Sequence, residues 1–168
     1  MSTDNRRRSI RVVFRGALFV ACGVLLSAGL LLMIVPTLDG PHHRRLANEA
    51  AAVSKFHTIF ALQAEYMAAH AGNGFACDLS LLRPFGQGKF PDYSLDFLTA
   101  KVQSGYRFSM ASCSSDANRA RVHYQITAVP VARDTTGIRA FCADETEVIW
   151  YDADGSATNC LASRRPLE

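Results

Sequence analysis

The feature of this sequence that most constrains its fold is a long run of uncharged, mostly apolar residues near the N-terminus. The run covers residues 16–38 and is bounded by Arg15 and Asp39. As an α-helix it would span roughly 34 Å, and the hydrocarbon core of a bilayer is about 30 Å thick. A buried core helix is the alternative, but such a helix rarely has this length, no charge and an arginine-rich flank. We therefore predict a transmembrane helix at residues 16–38.

The arginines on either side of this segment predict its orientation. Residues 1–15 contain five arginines, whereas Arg44 and Arg45 are the nearest ones after the segment. The positive-inside rule then places the N-terminus in the cytoplasm. We predict a basic cytoplasmic leader at residues 1–15 and an extracytoplasmic domain at residues 39–168, in a single-pass protein of the inner (cytoplasmic) membrane.

Removal of the apolar segment as a secretory signal is the competing interpretation. The apolar part of a signal peptide is usually about 7 to 15 residues long and ends at small residues followed by polar sequence. Here the small residues 27–29 are followed by the apolar stretch 30–35. Cleavage after them would leave an apolar N-terminus, so we expect the segment to be retained as an anchor.

The distribution of charge argues against a nucleic-acid partner. The 168-residue chain has a formal net charge of +3, and residues 1–15 carry five arginines against one acid, Asp4. The remainder of the chain is therefore close to neutral. A nucleic-acid-binding domain needs positive charge spread over a folded face.

Four of the five cysteines lie in the predicted extracytoplasmic domain, and the fifth lies in the apolar run. An even number of cysteines in an exported domain predicts two disulfides, for which three pairings are possible. A zinc site usually uses closely spaced ligand pairs such as C-x-x-C, and no such pair is present here. The four residues are Cys77, Cys113, Cys142 and Cys160.

Hydrophobic periodicity predicts a long helix followed by an antiparallel sheet. Residues 45–70 contain neither Gly nor Pro and repeat apolar residues at three- and four-residue steps, which is typical of an amphipathic helix. Its apolar stripe is Leu46, Ala50, Val53, Phe56, Phe60, Ala64 and Met67. Pro36, Gly40 and Pro41 predict a kink between this helix and the apolar one.

The rest of the domain predicts a short helix and four strands. The helix is expected at residues 94–102, and the strands at 105–110, 122–129, 139–143 and 148–151, the last two joined by the acidic turn 144–147. Short connections favour an antiparallel meander with one face covered by the helix. We therefore predict an α+β fold in which a long N-terminal helix, part transmembrane and part amphipathic, packs on a four-stranded antiparallel sheet. The expected core residues are Phe56, Phe60, Ile126, Val129, Ile149 and Trp150.

No motif for catalysis or for a cofactor occurs in the sequence. It lacks a Gly-rich phosphate loop, an H-E-x-x-H helix and a G-x-S-x-G elbow. Residues 152–155 resemble part of a calcium loop, but the bidentate Glu that should follow is missing, and D-x-D-G is also ordinary in turns. We therefore predict no catalytic residue, no metal and no cofactor.

Five phrases of the sequence, in their order, resemble one family. They are LANEAAAVSKFHTI at 46–59, GNGFA at 72–76, SGYRF at 104–108, YQITAVPV at 124–131 and TTGIRAFCADETEVIWY at 135–151. Together with the basic leader and the apolar helix, they are similar to type IV pilin-like proteins, which include minor pilins and the pseudopilins of type II secretion. The likeness is to pilin-like ectodomains of the G/H type and covers residues 45–160.

The processing site of that family has a partial counterpart here. Family members carry a basic residue and Gly before Phe, with Glu five places after the Gly. Here Arg15 and Gly16 are followed by Ala17, and Ala21 stands in place of the Glu. In pilins this carboxylate is thought to neutralise the N-terminal amine of a neighbouring subunit within the bilayer. Arg15, Gly16 and Ala17 are therefore a candidate processing site, and we expect the leader to remain uncleaved.

The resemblance implies a non-enzymatic, membrane-anchored protein, a minor or accessory component of a type IV pilus or a type II secretion system. The implied partners are the membrane and other pilin-like subunits or assembly proteins of the secretion system or pilus. A solitary membrane-anchored extracytoplasmic binding domain, which has the fold but does not assemble, is the alternative. An anchored enzyme is a third possibility.

The predicted strand order favours one disulfide pairing. Cys142 lies in the third strand and Cys160 follows the fourth, so the hairpin brings them close. Cys77 follows the helix and Cys113 ends the first strand, so a bond between them would tie the connecting loop to the sheet. We expect the bonds Cys77–Cys113 and Cys142–Cys160.

Overall fold

The computed structural model describes residues 40–117 and 120–167. The predicted leader, the transmembrane segment 16–38 and the candidate processing site at Arg15, Gly16 and Ala17 lie outside the described residues. Within residues 40–117 and 120–167, no helix combines the length and the apolar character needed to cross a membrane. The described residues from Arg44 onward form one compact unit.

The first element that the structure describes is a helix of 29 residues, α1, at Pro41–Ala69. Proline suits the first position of a helix, because the N–H that it lacks would have no partner there. The helix ends just before Gly72, which has a φ of +89° that favours glycine. The amphipathic helix predicted at residues 45–70 is therefore confirmed, and it begins one turn earlier.

The face of α1 that packs on the sheet differs from the predicted stripe. Phe56 and Phe60 are buried as expected, but Leu46 and Met67 are 47% and 39% exposed. The packed face is rotated relative to the predicted stripe because two polar residues of α1, Glu49 and Gln63, form hydrogen bonds with backbone groups inside the domain. The buried residues of α1 are Glu49, Ala52, Phe56, Ile59, Phe60, Leu62, Gln63 and Tyr66.

A compact segment of short helical pieces links α1 to the sheet. It comprises a 3₁₀ turn at Leu79–Leu82 and the helices α2 (Arg83–Gly86), α3 (Asp92–Leu95) and α4 (Phe97–Ala100). The prediction of a single helix at residues 94–102 is therefore wrong, because this part of the chain folds as the two short helices α3 and α4. The second ends at Lys101, whose φ is +59°.

The sheet is antiparallel and has its strands in sequence order. The strands are β1 (Val102–Gln103), β2 (Tyr106–Ser115), β3 (Arg121–Pro130), β4 (Ala140–Asp144) and β5 (Ile149–Asp152). The α+β class and the antiparallel meander are confirmed, but the predicted number of four strands is wrong. The additional strand, β1, pairs with the start of β2 and is too short to show an alternating pattern.

The two faces of the sheet have different coverings. The inner face packs on α1 and the short helices through Tyr106, Phe108, Tyr124, Ile126, Ala128, Phe141 and Ala143. The outer face carries a second cluster of Trp150, Cys142 and Cys160, the last in helix α5 (Ala157–Ser163). Trp150 is therefore buried outside the core that α1 covers, and Val129 is only half-buried.

The C-terminal residues complete the edge of the sheet. Leu167 N–H donates to Ile149 O at 3.0 Å, and Tyr151 N–H donates to Arg165 O at 2.9 Å. Pro166 forms an antiparallel bridge with Trp150. The tail 165–167 therefore lies along β5.

Candidate interaction surfaces

Both predicted disulfides are present. The Cys77–Cys113 bond joins the loop after α1 to β2, with the two Cα atoms 5.7 Å apart. The Cys142–Cys160 bond joins β4 to α5, with the Cα atoms 6.0 Å apart. Cys142 and Cys160 are fully buried, whereas Cys77 and Cys113 are half-buried.

The partial calcium motif folds as a turn. Asp152 Oδ2 accepts hydrogen bonds from the N–H groups of Asp154 and Ser156, at 3.1 and 2.8 Å. Its carboxylate thus stabilises the backbone that leads into α5. No group of three or more His, Cys, Asp or Glu side chains within the described ranges could hold a metal ion.

The acidic turn at residues 144–147, which joins β4 to β5, concentrates charge at one end of the sheet. Asp144 is buried, accepts hydrogen bonds from the N–H and hydroxyl of Thr146, and pairs with Arg164 at 3.2 Å. Glu147 is exposed and forms no ion pair with any described residue. One carboxylate of the turn is therefore structural, and another is open to a partner.

Glu145 connects this turn to the neighbouring strand. Its Oε1 lies 2.6 Å from His123 Nδ1, and its Oε2 accepts from Tyr124 N–H at 3.3 Å. Burial alone would raise the pKa of Glu145, but the hydrogen bonds from His123 and Tyr124 outweigh it and lower that pKa below its usual range. Burial, reinforced by the nearby carboxylates, raises the pKa of Tyr124. Glu145 is therefore ionised and the Tyr124 phenol is neutral near pH 7.

An apolar groove lies on the inner side of the turn. Its volume is about 510 Å³. The residues that line this acid-rimmed groove are Gln63, Ala64, Met67, Ala68, Phe75, Glu145 and Glu147. Its floor is the exposed side of the end of α1 together with Phe75, which packs edge-on against Tyr124 at 4.8 Å. Apolar floor and acidic rim suit a partner that presents an apolar side chain beside a cation.

A polar groove of about 400 Å³ lies on the outer side of the same turn. The residues of this outer-sheet groove are Ser112, Ser114, His123, Gln125, Asp144, Glu145, Thr146 and Arg164. Ser114 is paired with His123 across β2 and β3, but no hydrogen bond joins their side chains. The groove therefore presents hydrogen-bonding side chains to a ligand.

Sequence reasoning missed the His123–Glu145 pair because the partners are 22 residues apart and meet only through strand register. The alternation of β3 was a usable signal, since it places His123 and Gln125 on one polar face. The acidic turn itself was recognised, but only as a connection between strands.

No protein-family model, curated protein or solved structure matches this chain. Its proposed function therefore depends on the residues and the geometry described above.

Proposed function

We propose that this protein is a non-enzymatic, membrane-anchored pilin-like or pseudopilin-like protein. It serves as a minor or accessory component of a type IV pilus or a type II secretion system. The observation that carries the proposal is α1, which begins at Pro41, just after the apolar run 16–38, and packs one face on an antiparallel sheet. This is the arrangement expected of a helix that continues from a membrane anchor into an extracytoplasmic domain.

Exposed apolar residues of α1 support a role in contacts between subunits. Leu46 and Met67, near the two ends of the described helix, are exposed, and so are Ala50 and Ala64. These side chains leave apolar area open to a partner at each end of α1. The acid-rimmed groove, which Ala64 and Met67 help to line, is one such surface.

The two disulfides support an extracytoplasmic location for the domain. Disulfides persist in oxidising compartments and are rare in cytosolic proteins. Their presence in the described domain agrees with the orientation that the arginines of the leader predict. We therefore propose that the chain crosses the inner membrane once and that its disulfide-bonded domain lies in the periplasm.

Photo-cross-linking in native membranes tests assembly. A photoreactive residue at Leu25 or Leu32 should cross-link two differently tagged copies if apolar segments pack together. The same label at Tyr93, which is 71% exposed on the domain, is the control for random collision. Cross-links at Leu25 or Leu32 that exceed those at Tyr93 support an assembling subunit. Their absence at both positions would contradict it.

The outer-sheet groove favours one second candidate, a solitary membrane-anchored binding domain. The groove is lined by polar side chains from two neighbouring strands, from the acidic turn and from Arg164. A solitary anchor needs a ligand site but no packing between membrane segments. The same cross-linking experiment separates the two candidates, because a solitary anchor gives no cross-link at Leu25 or Leu32.

A further inference from the structure

A small pocket lies at the end of β4 and β5 that is opposite the acidic turn. Its volume is about 200 Å³. The residues that line this arginine pocket are Arg139, Tyr151, Arg165, Pro166 and Leu167. Arg139 directly precedes β4, and the last three belong to the tail that lies along β5.

Two guanidinium groups in the pocket share one aromatic ring. Arg139 Cζ lies 5.5 Å from the centroid of the Tyr151 ring, and Arg165 Cζ lies 4.8 Å from it. Each cation is attracted to the electron-rich face of the ring. An anion bound in the pocket would be attracted to both cations.

One carboxylate beside Arg139 is already engaged. Glu49 accepts hydrogen bonds from the N–H groups of Ile138 and Arg139, at 2.9 and 3.1 Å, and from Arg139 Nε at 2.8 Å. It therefore compensates the charge of Arg139 and holds that side chain in place. Arg165 forms no ion pair with any residue that the structure describes. Among the residues that the structure describes, the pocket therefore keeps one positive charge without an ion-pair partner.

The Arg139 side of the pocket is held in place before any ligand arrives. Arg139 packs on Phe141 as well as on Tyr151, and the backbone of Arg165 is fixed by the hydrogen bond from Tyr151 N–H. A pre-ordered site loses little conformational entropy on binding. Pro166 and Leu167 add apolar contacts to the lining, and Arg165 and Pro166 are open to solvent.

We propose that the arginine pocket binds one carboxylate group, of the kind that a Glu or Asp side chain of a partner protein presents. Its volume fits one such side chain, and guanidinium groups bind carboxylates through paired N–H donors. Carboxylate binding here is independent of the proposed role in a pilus or secretion system, because it requires neither a membrane neighbour nor assembly.

The test is an NMR titration of the full-length chain, labelled with [15N]arginine and held in non-ionic detergent. The probe is N-acetylglutamic acid α-amide, and N-acetylglutamine α-amide is its neutral isostere. The glutamate probe should shift the Nε–H signals of Arg139 and Arg165, and the glutamine probe should shift neither. Equal shifts with both probes would overturn the proposal.

Variants locate the site. Arg165→Gln should weaken binding of the glutamate probe at least tenfold. Arg165→Lys should weaken it less, because Lys keeps the positive charge and loses only the paired N–H donors of the guanidinium group. Arg107→Gln, an equal change of charge at an exposed position of β2, should leave binding unchanged. Unaltered binding by Arg165→Gln, with its Trp150 fluorescence as in the wild type, would refute the pocket.

The source of the carboxylate is tested with sodium acetate and inorganic phosphate. Binding of the glutamate probe at least as tight as that of acetate supports a protein side chain. Binding of acetate alone would instead indicate a free organic acid, and tighter binding of phosphate would indicate a phosphoryl ligand. Either of these results would overturn the proposal of a partner's side chain.

Discussion

Glu49 joins α1 to the start of β4 through a single buried carboxylate. It takes three hydrogen bonds from residues 138 and 139, which are distant in sequence. Burial alone would raise the pKa of Glu49, but the hydrogen bonds from Ile138 and Arg139 lower it below its usual range. The ionised form is therefore the one that the fold stabilises.

We expect Glu49→Gln to reduce the free energy of unfolding by about 2 kcal/mol at pH 7. The ion pair with Arg139 is lost, and the amide NH₂ group of Gln faces N–H donors of residues 138 and 139, with which it cannot form hydrogen bonds. Glu65→Gln, which breaks an exposed pair with Lys89, should cost less than about 0.5 kcal/mol. Denaturant unfolding of both variants beside the wild type measures the two effects.

The pH dependence of this effect follows from the lowered pKa. The contribution of Glu49 is complete above the unfolded value of about 4.3 and is lost as the pH falls through the lower folded value. The difference between the wild type and Glu49→Gln should therefore shrink below about pH 4. A difference that stays constant from pH 7 to pH 3 would show that the carboxylate charge does not matter.

At the level of single elements, local periodicity predicted α1 and the strands β2 to β5, because each has a pattern that its own residues carry. The buried face of α1 could not be predicted in this way. Gln63 is buried because both of its amide atoms bond to the backbone of Ala76, a partner 13 residues away. Leu46 is exposed although it is apolar.

The candidate surfaces could be predicted from the sequence less well than the fold. The arginine pocket needs the register that places Tyr151 beside the tail, and it needs the return of the chain after α5. Neither the register nor the return of the chain can be predicted from a local sequence pattern. The disulfide pairing, by contrast, was predictable because strand order alone brings Cys142 near Cys160.

Substitution by Asp at two positions of α1 tests how this helix packs on the sheet. We expect Phe60→Asp to unfold the domain, because an uncompensated charge replaces a large apolar side chain that is 5% exposed. Leu46→Asp, at an exposed position of the same helix, should change the free energy of unfolding by less than about 1 kcal/mol. Circular dichroism during thermal unfolding compares the two. A cooperative transition of Phe60→Asp at the wild-type temperature would refute the packing.

The two disulfides should differ in their access to a reductant. Cys77 and Cys113 are half-buried, so a mild thiol should reach that bond in the folded protein. Cys142 and Cys160 are fully buried beside Trp150, so their bond should open only on unfolding. Timed alkylation with peptide mapping measures the order of reduction, and faster loss of the Cys142–Cys160 bond would contradict this prediction.

Each bond should also stabilise the whole domain. In the chain-entropy model, loops of 36 and 18 residues correspond to about 3 to 4 kcal/mol each. The double variants Cys77→Ser/Cys113→Ser and Cys142→Ser/Cys160→Ser should both unfold at lower denaturant concentrations. The second pair should show the larger loss, because it also removes buried contacts with Trp150.

At the scale of the whole molecule, the proposed pilin-like role depends on whether the basic leader is removed. An uncleaved leader retains five arginines, which are costly to place inside an apolar filament core. We expect N-terminal sequencing of membrane-extracted protein to find the leader intact. An N-terminus at Ala17, particularly a methylated one, would show processing and indicate a true pilin subunit.

The two borders of the sheet differ in the backbone groups that they leave open. On one border β1 pairs only with Tyr106 and Arg107, so residues 109–115 of β2 have no strand beside them on that side in the described part of the chain. On the other border the backbone of β5 is occupied by the tail 165–167. Unpaired N–H and C=O groups of an edge strand can pair with an incoming strand. Strand addition is therefore possible along β2 and disfavoured along β5.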